Sequence, residues 1–202
     1  VTSPAQSVAS VTLTPEGPST ISVPKDVAQV ELHVAGDFGD SAELVADANL
    51  TAKREGVAHL ARFERADLFE TDLSGVSVVA LYLLPEMNVR LRPKLLALSP
   101  GTRIVAHEFG LGDWQPDERA LAAGRNALLW IVPSNIEGDW TIRGPRESYR
   151  MRIRQRYQMF RGTVDLVGAK VGTATTLIET GRLNGTALSF SFFDGRRVVK
   201  FA

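Results

Sequence analysis

Apolar residues recur along the chain with two different periods, and the changes of period mark out three regions. Between Val11 and Val34 three segments alternate apolar and polar residues, Val11-Thr-Leu13, Thr20-Ile21-Ser-Val23 and Val27-Ala-Gln-Val30-Glu-Leu32-His-Val34, separated by Pro15-Glu16-Gly17-Pro18 and Pro24-Lys25-Asp26. Alternation broken by turn residues predicts a strand meander. Val1 to Ser10, small and polar, reads as a fraying terminus. The period then lengthens. Leu44, Val45, Ala48 and Ala52 form one helical stripe behind a capping-box pair, Asp40 and Glu43, and Gly56 is placed to end the helix.

Next come a short half-exposed strand from His59 to Ala66, with His59 read as a solvated strand-start residue, and a turn from Leu68 to Ser74 that Asp67 can cap. Val76 to Leu84 carries no charge, which predicts a central strand covered by helices on both faces. Met87, Leu91, Leu95 and Leu98 give the following helix one apolar face, and Pro93 must kink it or restart it. Ser99-Pro100-Gly101 reads as a tight turn and Thr102 to Glu108 as the next strand. Two apolar runs separated by one helix predict parallel strands joined by a crossover. Gly110 to Glu118 is a polar loop long enough to form a rim or lid. Ala120 to Ala123 suggests one or two helical turns, and Asn126 to Val132 an antiparallel edge strand.

Beyond Pro133 the period returns to two. Asp139 to Arg143, Tyr149 to Tyr157, Gly162 to Leu166, Thr175 to Ile178, Ala187 to Phe192 and Arg197 to Phe201 read as short strands, with hairpins at Asn184-Gly185 and Asp194-Gly195. This is the pattern of a small antiparallel barrel or sandwich. In Tyr149 to Tyr157, Arg150, Arg152, Arg154 and Arg156 fall on one face, opposite Tyr149, Met151, Ile153 and Tyr157. Such arginines recur about every 6.7 Å, which suits a polyanion. Protection of a sheet from edge pairing is the preferred explanation.

Composition narrows the classes. The 202 residues are 44% hydrophobic and 23% charged, enough for one large core or two small ones. Lys and Arg total 23, as do Asp and Glu, so no global field draws nucleic acid or membrane. The chain has no cysteine, which excludes disulfides, thiolate chemistry and cysteine-ligated zinc. No apolar run reaches the length of a membrane span, and the amino terminus lacks the form of a signal peptide. The expected location is therefore cytoplasmic.

The order of an acid after a short strand, then "VVALYLLP", "LSPGTRIVAHEF" and "GDW", resembles the second half of a class I S-adenosylmethionine-dependent methyltransferase over roughly residues 41 to 133. A more distant likeness is to small protein-lysine methyltransferases with a "DLF…DLS…YLLP" run. The resemblance implies an α/β, Rossmann-like, mostly parallel sheet with helices on both faces, here with an N-terminal β meander and an antiparallel β-rich C-terminal domain. The expected divisions are 1–36, 37–137 and 138–202.

It also implies S-adenosylmethionine as cofactor and a small-molecule or protein methyl acceptor, with nucleic acid the less favoured partner and no membrane. Members of that superfamily begin with a strand running into a glycine-rich loop, and Gly36-Asp37-Phe38-Gly39-Asp40 is the one candidate here. In one alignment Gly36 and its neighbours are that loop. In the preferred one Val30 to Asp37 is the second strand and Asp37 or Asp40 binds the ribose, so cofactor binding would be weakened or lost. By the same resemblance Asp67 and Leu68 hold the adenine, and Tyr82 and Pro85 flank the transferred methyl. His107 and Glu108 could be a base and its orienter or, with Asp113, a metal site; loop hydrogen bonding is the preferred reading, and no metal is expected. The alternative function is a non-enzymatic binding protein on a degenerate methyltransferase scaffold.

Overall fold

In the computed structural model the residues described are 41–61, 63–122, 124–143, 148–167, 175–195 and 197–201. The N-terminal meander, Gly36, Asp37 and Asp40 lie outside them. The described residues fall into two units, one ending at Arg65 and the other beginning at Ala66.

The first unit contains helix α1 (Ser41–Arg54), which closes in the turn at Gly56, where φ is +71°. That left-handed conformation is what glycine permits after a last helical turn. Ala52 of the expected stripe is buried. Among the described residues of His59 to Ala66 the expected strand is not found. Val57 instead starts a helical turn, its carbonyl accepting from Leu60 and Ala61. The Asn49 side chain then takes the place of a neighbouring strand: its Nδ2 donates to the Phe63 carbonyl (2.8 Å), and its Oδ1 accepts from the Phe63 N–H (3.3 Å). One amide side chain thus satisfies both backbone groups of Phe63.

The second unit contains two sheets. The first has the order β1-β2-β4-β3, from β1 (Val78–Leu81), β2 (Arg103–His107), β3 (Glu118–Ala122) and β4 (Arg125–Ile131). β1 and β2 are parallel, with Val79 opposite Ile104 and Leu81 opposite Ala106, and helix α2 (Pro85–Leu96) crosses between them. β4 runs antiparallel to both β2 and β3. Mixed α/β character and the parallel pair are therefore as expected.

Three expectations are corrected here. The run from Val76 to Leu84 is not covered on both faces: Val79, Leu81 and Leu83 are buried, whereas Val78, Tyr82 and Leu84 are 38, 45 and 65% exposed. An uncharged run hid an ordinary alternation, because Val78, Tyr82 and Leu84 are apolar residues facing outward. The helical turns expected from Ala120 onward are not found among the described residues; Glu118–Ala122 is strand β3, paired with β4, and Gly124 before β4 has φ +76°. β3, not β4, is accordingly the edge.

Helix α2 begins with Pro85 in its first turn and has Glu86 near its start and Lys94 near its end, matching the helix dipole. It runs through Pro93 as one helix. The carbonyl that proline leaves without its helical donor is that of Val89, and both residues are exposed, so water can serve it. Leu91, Leu95 and Leu98 pack with Val79, Leu81, Ile104, Ala106, Leu128, Trp130, Leu111 and Trp114 in one core.

The second sheet is a six-stranded antiparallel meander in the order β10-β9-β8-β7-β6-β5: β5 (Gly138–Arg143), β6 (Ser148–Arg156), β7 (Met159–Leu166), β8 (Thr176–Asn184), β9 (Ala187–Phe193) and β10 (Val198–Phe201). Each strand pairs with its chain neighbour, as the turn signals predict. The sheet curls, bringing Tyr149 of β6 edge-on to Phe192 of β9 at 5.2 Å between ring centroids. Tyr149, Met151, Ile153, Phe160, Val164, Ile178, Leu183, Phe190 and Phe192 line its core. Both expected hairpins form, with Gly185 at φ +59° and Gly195 at φ +91°.

Candidate functional site

Parallel β-strands present ligands at their carboxyl ends. Here those ends belong to β1 and β2, and the residues just past their last paired positions, Leu81 and Ala106, are Tyr82 and His107. Their rings stack at 4.6 Å with 27° between planes. Tyr82 is 45% exposed and so remains open to solvent despite the stacking. Pro85 sits three residues on, exposed in the first turn of α2.

Asp67 lies in the loop before β1. Its Oδ1 accepts the Phe69 N–H at 2.8 Å, and its carbonyl accepts the Thr71 N–H and hydroxyl at 2.8 and 2.7 Å. The capping expectation for Asp67 is met, and the carboxylate remains exposed. Lys94 fastens this loop to α2 by donating to the carbonyls of Leu68 (3.0 Å) and Phe69 (2.8 Å), with the Arg90 guanidinium 3.9 Å above the Phe69 ring. Asp72 accepts the N–H and hydroxyl of Ser74, and the backbone bond leads in holding its carboxyl below the usual range.

His107, Glu108 and Asp113 do not converge. His107 lies against Tyr82. Glu108, at φ +60°, accepts from Asn126 at 2.9 Å and pairs with Arg125 at 3.6 Å; the Asn126 bond is the main cause of its lowered pKa. Asp113 is engaged by Arg92, by Arg156 (2.5 Å) and by the Tyr157 hydroxyl (2.8 Å). These bonds, that from Arg156 first, hold its pKa at about 2. Among the described residues no three acids or histidines form a metal-binding group.

The loop after β2 is more firmly held than a lid. Trp114 is fully buried, stacks on Tyr157 at 5.7 Å, donates its Nε1–H to Gln158 (2.9 Å), and accepts at its carbonyl from Trp130 (2.8 Å). Gln158 donates in turn to the Gln115 carbonyl at 2.7 Å. Asn88, fully buried on α2, donates to the Phe109 carbonyl at 3.0 Å. Gly112, at φ +69°, lets the loop pass α2: a Cβ there would lie 2.9 Å from the Arg92 guanidinium and 3.3 Å from Val89. Pattern reasoning missed Asn88, Lys94 and Gln158. Only Asn88 left a trace, as a polar residue three positions before Leu91 on an apolar stripe.

A shallow cleft of about 200 Å³ is lined by Leu96, Pro133, Asn135, Glu137, Gln155 and Tyr157. It contains none of the expected site residues.

Residues 26–118 match the family model of the ANTKMT methyltransferase domain. A protein-lysine N-methyltransferase of Saccharolobus islandicus strain REY15A is 39% identical over 77 residues, which are 38% of this chain and 48% of that protein. The chain thus spans about half the length of this curated relative. An RNA methyltransferase from Salinibacter ruber, solved in complex with S-adenosyl-L-homocysteine, is 42% identical; the match covers 52% of this chain and 67% of that one, with a TM-score of 0.46. The segment from residue 26 to residue 118 is therefore similar in sequence to methyltransferase domains, as its motifs suggest.

Proposed function

We propose that the chain is an S-adenosylmethionine-dependent methyltransferase acting on a lysine amine of a protein. The observation that carries this reading is the 39% identity with a protein-lysine N-methyltransferase, within a chain that also matches a methyltransferase family model. In this reading the first sheet is part of a Rossmann-like fold, and the divisions 1–36, 37–137 and 138–202 describe the chain.

The described residues suit the cofactor chemically. Asp67 spends Oδ1 on the Phe69 N–H and keeps an exposed carboxylate for the adenine amino group. The Leu68 N–H, which has no acceptor among the described residues, can meet a ring nitrogen. Gly36, Asp37 or Asp40 would take the methionine end or the ribose. When bound, S-adenosylmethionine supplies a methyl group on a sulfonium, and its transfer to an amine needs alignment and loss of water more than a strong base. Tyr82 can accept a hydrogen bond from the incoming amine and offer its ring face to positive charge. His107, stacked beneath it, limits the ring's rotation, and Pro85 stiffens the adjoining rim.

The test is calorimetry with S-adenosylhomocysteine alongside methylation of lysine peptides. Affinity falls about tenfold for each charge-assisted contact that a missing glycine-rich loop would have supplied. Measurable binding that Asp67→Ala weakens supports the reading. No binding at high ligand concentration moves the chain to the non-enzymatic class.

A further inference from the structure

We propose that the β6–β7 turn, through Tyr157 and Gln158, holds the 109–117 loop as a fixed wall of the methyl-acceptor site, so that the C-terminal sheet governs acceptor binding. This rests on the methyltransferase reading above.

Three observations lead to it. The loop leaves the carboxyl end of β2 directly after His107, where an open α/β sheet takes its ligands. Phe109, two residues beyond His107, is 43% exposed, and its carbonyl is bound by Asn88 of the helix that follows Tyr82. The segments leaving the two parallel strands are therefore tied together.

The loop's other anchors come from the second sheet. Tyr157 and Arg156 bind the Asp113 carboxylate, and Gln158 bridges the Trp114 indole and the Gln115 carbonyl. Arg182 of β8 binds Asp117 at 2.7 Å, and the second oxygen of Asp117 accepts the Ile131 N–H at 2.8 Å. Tyr157 has φ +56°, a conformation unusual outside glycine and asparagine, which turns the chain so that the phenol and the Gln158 amide face the loop together. Strain of that kind persists where the surroundings enforce it.

A wall acts by positioning: loosening it lowers the fraction of protein ready to receive the acceptor while leaving the cofactor's contacts in place. Tyr157 and Gln158 are positioning residues, since they act through Asp113, Trp114 and Gln115.

The experiment uses the full chain, with Tyr157→Phe as the gentle variant and Gln158→Leu as the severe one. Three quantities are measured: hydrogen exchange of the amides of residues 109–117, S-adenosylhomocysteine affinity, and steady-state methylation of poly-L-lysine. The expected result is faster exchange in the loop, an acceptor KM raised about tenfold for the loss of one bond to a charged group, and cofactor affinity within about twofold of wild type. Arg150→Ser, at an exposed position of β6, should stay near wild type. Unchanged exchange, or faster exchange with an unchanged KM, overturns the proposal and leaves the methyltransferase reading intact. A wild-type chain that neither binds S-adenosylhomocysteine nor methylates overturns both.

Discussion

The Tyr157 hydroxyl donates to the Asp113 carboxylate at 2.8 Å, joining the turn after β6 to the loop after β2 across 44 residues of sequence. Asp113 is the point where α2, the first sheet's loop and the meander meet, because Arg92 and Arg156 bind the same carboxylate.

That junction should respond to acid. Asp113 has its pKa lowered from 3.8 to about 2 by the bonds from Arg156 and Tyr157. A depressed carboxyl pKa stabilises the fold fully above the unfolded value and ceases to do so as pH falls through the folded one. The difference in Tm between wild type and Asp113→Asn should therefore be constant above about pH 5 and shrink between about pH 4 and pH 2. A difference that persists unchanged at pH 2 would mean that the carboxylate contributes through something other than its charge.

Two glycines of the meander tolerate no side chain. A Cβ on Gly181 would lie 2.5 Å from the Phe160 ring, and one on Gly162 would lie 2.1 Å from the Arg152 carbonyl. Gly181→Ala and Gly162→Ala should each cost about 1–3 kcal/mol or more by urea denaturation, through overpacking. Gly75→Ala, with nothing within 4 Å of the new carbon, is the control and should stay within about 0.5 kcal/mol of wild type. Equal effects at all three positions would remove the steric explanation.

Trp114 and Gln158 should be energetically coupled. Both are buried, and the indole N–H donates to the amide oxygen at 2.9 Å, so removing either leaves an unsatisfied polar group worth about 1–3 kcal/mol. In a double-mutant cycle with Trp114→Phe and Gln158→Leu, the combined loss should be smaller than the sum of the single losses. Strict additivity would show that the bond contributes nothing.

The arginine stripe on β6 should not retain polyanions. Its four side chains are exposed on one face as the alternation predicts, but Arg152 pairs with Asp139 (2.9 Å), Arg154 with Glu137 (3.9 Å) and Arg156 with Asp113 (2.5 Å). Heparin chromatography at low salt should not separate wild type from Arg150→Ser/Arg154→Ser. Stronger, salt-sensitive retention of wild type would restore a polyanion role.

What the sequence discloses follows from how local each signal is. The meander was legible strand by strand, because Asn184-Gly185 and Asp194-Gly195 dictate their own turns and each strand pairs with the next. The β1–α2–β2 crossover was legible too, since both apolar runs and the Leu91/Leu95/Leu98 face belong to one stretch of chain. Burial of Val78, Tyr82 and Leu84 was misjudged because an apolar residue need not be inside. The strand expected at His59 to Ala66 failed for a different reason: Asn49, distant in sequence, competes for the Phe63 backbone. At the candidate site, Tyr82 could be placed at a strand end from its motif, but its stacking on His107 depends on register, which no pattern within either strand encodes. The anchoring of the 109–117 loop by Gln158 left no local mark at all.

The order of synthesis gives this last feature a consequence in time. Residues 109–117 leave the ribosome well before their counterparts at Tyr157, Gln158 and Arg182, and until then the loop has only its ties to α2 and the first sheet. The meander closes through contacts between chain neighbours, which form quickly. The loop is therefore expected to remain incompletely held during translation until the meander has formed. Arrest of the nascent chain before residue 157 should leave Trp114 accessible to solvent quenchers, and extension past Arg182 should bury it.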